Sequence, residues 1–228
     1  MHYRAGRPGS GPRRADAGRR STGGAGAERA MARPAVKKGR MEAAAIELFA
    51  TQGLARTTVR DIAAAAGVGE GALYRHWAGK NEMASTLFRR EVHAFVEALR
   101  PFLEDAGPPL ARRVDAAVRF IYDFYEAQPT RLAFILFTQH GFPDQHVLDD
   151  ALDPFTMLLA FCQREMRNGT IPPADAEVLA SLVMGSVLQP LIMHRYGRVA
   201  RPPAAIAADV AAGITALLLG GTAREVGA

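Results

Sequence analysis

Apolar residues recur along this chain at spacings of three and four, and no apolar–polar alternation runs long enough to make a strand. The first such stripe, Met41, Ala45, Leu48 and Phe49, predicts a helix from about Val36 to Gln52 that Gly53 ends. Val59, Ile62, Ala63 and Ala66 then fall on one face of a second helix. Thr58, three residues before Asp61, has capping-box spacing for its start, and Gly67 suits its left-handed stop. After Val68 and Gly69, Leu73 and Trp77 turn inward from a third, short helix. Asn81 is placed to cap a long helix to about Leu103, with Phe88, Val92, Phe95 and Leu99 as its inward row, and Pro101 with Gly107-Pro108-Pro109 bounds its end. Further helical patterns cover Leu110 to Glu126, a short Thr130 to Thr138, Gln145 to Asn168, Ala174 to Tyr196 and Pro203 to Leu219. The expected fold is all-α with about nine helices.

Two short helices joined by a glycine turn over Thr57–Lys80 form a helix-turn-helix, which presents its second helix to a DNA groove. The helix before it would complete a three-helix core, with Lys37, Lys38 and Arg40 at its start in reach of a DNA backbone.

Charge sharpens this picture. Residues 1–40 hold eleven Lys or Arg against two acids, a net +9, while the rest holds 17 basic and 21 acidic residues, a net −4. A basic segment ahead of a DNA-binding motif adds salt-sensitive attraction to phosphates. Residues 1–34, rich in Gly, Ala, Arg, Pro and Ser, lack an apolar face and are expected to be a disordered tail, and Met31 is a candidate translation start. A single cysteine, Cys162, permits no intrachain disulfide. The arginine-rich N-terminus has no apolar signal region, and no uninterrupted apolar run reaches membrane length, Val210 to Leu219 being the longest weighed. A cytoplasmic protein with no membrane partner is the expectation.

The motif Thr57-Thr58-Val59-Arg60-Asp61-Ile62-Ala63, Ala66-Gly67-Val68, Gly71, Leu73-Tyr74, Trp77 and Lys80 resembles the N-terminal domain of TetR-family transcriptional repressors over about residues 36–88. That resemblance implies phosphate contacts from Thr58 and Tyr74, His76 against the DNA backbone, and Lys80 gripping another phosphate. Such contacts fix register without reading sequence. Base readout would fall to Glu70, Gly71 and Ala72, with Arg60 and Arg75 as further candidates. Gly69 stands where the family often has a capping Ser or Thr, and Glu70 where a basic residue is common, which leaves the base contacts open.

The expected division is a tail over 1–34, a helix-turn-helix domain over 35–82, a ligand-binding and dimerisation domain over 83–222, and a short tail over 223–228. The last two helices are the candidate dimer face. Leu179, Leu182, Val183, Ser186, Val187, Gln189, Pro190 and Met193 in one, with Ile206, Val210, Ile214 and Leu217 in the other, offer more apolar surface than one sheltered face needs. Phe120, Tyr122, Phe124, Tyr125, Phe134, Phe137, Phe155, Met157, Phe161, Cys162, Met166 and Met184 are candidates to line an effector cavity for an apolar or aromatic molecule, with His140 and His194 orienting its polar group. The expected function is a ligand-responsive regulator, a repressor released from a palindromic operator by its effector, acting as a homodimer and without a cofactor. Two alternatives compete: a constitutive DNA-binding protein without a ligand, and a helical enzyme. For the latter His140, Asp144 and His146 lie close in sequence, but their spacing matches no strong metal motif, and no phosphate loop, nucleophile elbow or CxxC pair is present.

Overall fold

A computed structural model describes the backbone of residues 23–137 and 153–220, and the side chains of 35–136 and 153–220. The described elements are α1 (Gly23–Gln52), α2 (Val59–Ala66), a 3-10 helix (Glu70–Arg75), α3 (Lys80–Glu104), α4 (Leu110–Ala127), α5 (Pro129–Phe137), α6 (Pro154–Arg167), α7 (Ala176–Arg195) and α8 (Pro203–Gly220). Among the described residues all regular structure is helical, in the expected order. The described residues fall into two units, one up to Val36 and one from Lys37 on, and the apolar core, the turn motif and the cavity all belong to the second.

Boundaries differ from expectation where capping chemistry decides them. Helix α1 begins at Gly23 rather than near Val36, so residues 23–34, expected to be part of a disordered tail, are helical in backbone. Their Ala, Glu, Arg and Met content is good helix former. Asn81 does not cap α3: Gly79 is the N-cap, and the Glu82 carboxylate accepts the Ala78 N–H ahead of it. Helix α3 also runs past Pro101 to Glu104. The start expected for α6 near Gln145 lies outside the described residues. Asp153 caps the helix observed from Pro154, accepting from the Phe155 and Thr156 amides at 3.2 and 3.1 Å.

One continuous apolar core runs from Met41 to Leu218. Helix α4 packs chiefly against α8 and α3, α6 against α7, and α7 against α8. In α7 the row Leu179, Val183, Val187 and Leu191 is buried, as are Ile206 and Ile214 of α8. These belong to the core, which corrects the broader dimer face expected from the sequence. Val178, Leu182 and Leu219 stay exposed.

By length and composition α7 and α8 are apolar enough to cross a membrane, with mean hydropathies of 1.6 and 1.7. Counting only uninterrupted runs misses this, because a window tolerates the few polar residues within each helix.

The far end of α3 is locked by buried charge. Arg113 of α4 and Glu165 of α6 are 5% and 2% exposed and pair through Nη1 and Nη2 at 3.1 and 2.7 Å. Arg113 also donates to the Leu103 carbonyl at 3.3 Å, as does Arg164, and its guanidinium lies 5.5 Å from the Phe161 ring centroid. Burial pushes the Glu165 carboxyl up, but hydrogen bonds and charge from Arg113 more than offset it and hold it below the ordinary value.

Glu165→Gln, which leaves Arg113 without its counter-charge, should therefore lower unfolding free energy by about 3 kcal/mol in urea titration at neutral pH. Because the carboxyl titrates lower folded than unfolded, its contribution is complete above the unfolded value of about 4.3 and is lost as pH falls through the folded one. The difference between parent and Glu165→Gln should shrink over that acid window.

Candidate nucleic-acid interface and apolar cavity

The turn motif is built as its sequence demands. Thr58 caps α2 in a complete capping box: its hydroxyl accepts the Asp61 amide at 3.1 Å, and Asp61 Oδ2 accepts the Thr58 N–H at 2.9 Å. The Thr58 hydroxyl also donates to Asp61 Oδ2 at 2.7 Å, and this bond together with the one from the Thr58 N–H holds the Asp61 carboxyl below its usual value. Gly67 ends α2 at φ 63°, its N–H reaching the carbonyls of Ala63 and Ala64. Thr57 is buried and donates to the Gly53 carbonyl at 2.8 Å, tying α2 to the end of α1.

The second helix is a six-residue 3-10 turn rather than an α-helix. Gly69 offers no side chain to cap it, and the Ala72 amide bonds back to Gly69 at 2.9 Å in the tighter pattern. Leu73 and Trp77 are buried as expected. So is Ala72, at 6% exposure, which removes it as a base-reading residue.

Glu70, Gly71, Tyr74, Arg75 and His76 remain exposed, as do Thr58 and Arg60. Tyr74 is 58% exposed, which leaves its side chain open to a partner. His76 meets the edge of Trp77, and Lys38 of α1 lies 5.6 Å from that ring's centroid. Lys80 is half-buried, and its ammonium donates to the Leu54 carbonyl at 2.7 Å. Its observed bond is thus a tertiary staple between the loop after α1 and the start of α3.

Behind this motif an apolar cavity of about 220 Å³ opens between α3 and α8. Phe88, Val92, Phe95, Leu99 and Leu103 of α3 form one wall, and Val114, Ala117, Val118 and Ile121 of α4 another. Leu132, Ile135 and Leu136 of α5, Phe155, Met157, Leu158 and Phe161 of α6, and Val183, Met184, Val187 and Leu188 of α7 close most of the rest. Among the described residues the charged one in the lining is Asp153, whose carboxylate is occupied in capping α6. Cores rarely leave a void larger than a water molecule, and an apolar cavity of about 150 Å³, the engineered lysozyme case, already admits benzene.

The family model for "Bacterial regulatory proteins, tetR family" matches residues 43–87, the stretch holding the end of α1, the capped α2, the 3-10 helix and the start of α3. The helix-turn-helix segment of this chain is thus of the TetR family. It is 38% identical over 76 residues to the transcriptional repressor KstR2 of Mycobacterium tuberculosis, a match spanning 33% of this chain and 38% of that relative. It is 29% identical over 156 residues to the nucleoid occlusion factor SlmA of Aliivibrio fischeri, covering 64% and 77% of the two chains. In fold it resembles FadR of Bacillus subtilis, solved with stearoyl-CoA, at a TM-score of 0.65 and 16% identity over 80% of this chain and 98% of that one. PfmR of Thermus thermophilus gives 0.60 and 24% over 81% and 98%.

The cavity differs from the set expected from aromatic content. Of that set Phe155, Met157, Phe161 and Met184 line it, while Tyr122 and Cys162 are buried in the core and Tyr125 packs against it. Phe134 is fully buried against Phe49 and Phe88, so it is core. Phe120 and Phe124 pack behind the wall on Phe95, the first tilted and the second edge-on. Met166 packs on the core away from the cavity, and His194 is held by the Val199 carbonyl at 3.0 Å beside Tyr125. His140, with Asp144 and His146, lies outside the described residues, as does the Phe137 side chain. The wall residues missed are mainly aliphatic, and their signal was the face of α3 at spacings of three and four, a pattern that core and cavity wall share.

Removing the cap by Thr58→Ala should cost about 1 kcal/mol of stability. Gly67→Ala forces a Cβ into left-handed backbone, 2.5 Å from an Arg40 nitrogen, and should cost about 1–2 kcal/mol. Thermal unfolding of both variants measures the two effects.

Proposed function

We propose that this chain is a ligand-responsive repressor that binds a palindromic DNA operator as a homodimer and releases it when an apolar effector fills the cavity. The observation that carries the reading is the double attachment of α3. Its first turns, with Met83, Ala84 and Leu87 buried, complete the core behind the turn motif, and its later turns wall the cavity. A molecule entering between α3 and α4 acts directly on the helix that carries the DNA-facing surface.

In this reading 35–82 is the DNA-binding domain and 83–222 the effector and dimer domain. Tyr74, His76 and Arg75 make the phosphate contacts, with Thr58 joining them if its hydroxyl leaves Asp61 and Lys80 if it leaves Leu54. Arg60, Glu70 and Gly71 face the bases. Glu70 sits in the first turn of its helix, where a carboxylate can accept from a cytosine amino group. The apolar lining suits an aliphatic chain, and the stearoyl-CoA bound by FadR of Bacillus subtilis supports an acyl effector. The name of KstR2 as a repressor supports the direction of control. The open cavity favours this reading over a constitutive DNA-binding protein.

Val178 and Leu182 of α7 and Leu219 of α8, exposed at 48%, 44% and 54%, are the centre of the proposed dimer face. A second copy placed there would form a four-helix interface and bring two turn motifs to half-sites about 34–36 Å apart. A DNA partner implies a cytoplasmic location.

Selection of bound DNA from a random pool should return an inverted repeat; a single asymmetric site would contradict dimeric binding. Arg75→Ala should weaken operator binding about tenfold or more in fluorescence anisotropy, within the cost of losing a charged contact. Leu182→Glu should turn the dimer into a monomer by light scattering and sharply weaken binding to the full repeat.

A further inference from the structure

Helix α5 has two faces that serve different neighbours. Leu132, Ile135 and Leu136 point to the cavity. Phe134 stacks on Phe49 of α1, with ring centroids 6.1 Å apart at 20°. Beside this contact runs a line of charge. Glu91 of α3 is only 3% exposed, and its carboxylate is held from both sides. Oε1 accepts from Nε and Nη2 of Arg90 at 3.2 and 3.1 Å, and Oε2 accepts from Nε and Nη2 of Arg131 of α5, the former at 2.8 Å. Arg90 reaches on through Nη1 to Glu42 of α1 at 2.7 Å.

Arg131 and Arg90 are 44% and 49% exposed, whereas the Glu91 carboxylate is buried and depends on both of them for its donors. A buried carboxylate that loses its donors bears the full desolvation penalty. A displacement of α5 is therefore passed to Glu91 and on to Arg90 and Glu42 rather than absorbed at Arg131. A recess bounded by Glu42, Arg90, Glu91 and Arg131 leaves the guanidinium groups room to shift.

We propose that Glu91 is a positioning residue that couples occupancy of the cavity to the placement of α1, taking the displacement from Arg131 and passing it through Arg90 to Glu42. This coupling rests on the effector reading. It adds a second route to the direct one along α3, and one that depends on charge rather than on packing.

The test fills the cavity covalently, so that no effector need be known. Ala117→Phe, or Ala117→Leu if the larger side chain prevents folding, is placed in the full-length protein, and affinity for the selected inverted repeat is measured by anisotropy. In the parent background filling should weaken binding about fivefold or more, the lower range of allosteric coupling. In Glu91→Gln and Arg131→Gln backgrounds the same filling should change affinity by less than about twofold, and Arg131→Lys, which keeps the charge, should retain part of the coupling. Arg131 is half-exposed, so its variants fold even if Glu91→Gln does not. Equal weakening in the parent and relay-free backgrounds overturns the relay and leaves the effector reading standing. No weakening in the parent, with the fold intact by thermal unfolding, overturns the effector reading itself.

Discussion

Helix α3 belongs to two cores at once, and the rest of the molecule is arranged around that constraint. Its first half is packed by Met83, Ala84 and Leu87 behind the turn motif, and its second half presents Phe95, Leu99 and Leu103 to a cavity. A hydrogen-bonded helix of 25 residues transmits a tilt over its length, because a packed core shifts between discrete arrangements instead of deforming smoothly. Each end is fastened. Lys80 holds the start through the Leu54 carbonyl, and Arg113 and Arg164 hold the Leu103 carbonyl near the end. The Arg113–Glu165 pair adds little net stability over an apolar pair, but breaking it is costly, so it favours one arrangement of α3, α4 and α6.

The turn motif divides labour within a few residues. Thr58 spends its hydroxyl on the α2 cap and Gly67 supplies the left-handed stop, while Leu73 and Trp77 anchor the 3-10 helix. What remains on the surface is Tyr74, Arg75 and His76, with Glu70 and Gly71 at the helix start. Most of these groups suit phosphates, so the motif positions DNA more than it reads it. In the proposed reading discrimination falls on Arg60 and on Glu70, which stands where a basic residue is common in TetR-family motifs.

The fold was legible where periodicity and caps act locally. The stripe of α1, the Thr58–Asp61 box and the Gly67 stop needed only neighbours in sequence. The 3-10 form of the second helix did not follow, because it turns on the absence of a capping side chain at Gly69, and the inward turn of Ala72 came with it. The cavity was harder still. Aromatic content singled out Phe120, Phe124 and Phe134, yet whether a buried ring faces a void or another ring depends on six helices meeting in space. The Glu91 and Arg113 networks join residues 40 to 52 positions apart, which no local pattern reveals.

Competition through α3 between a molecule in the apolar cavity and the operator is tested most directly by titrating the operator-bound protein with stearoyl-CoA and shorter acyl-CoA probes. Calorimetry follows acyl binding, and anisotropy follows DNA release. A probe that binds should lower operator affinity by about tenfold or more, with the same factor by which the operator lowers probe affinity. A probe that binds tightly, is displaced by Ala117→Phe and leaves operator affinity unchanged would contradict that competition.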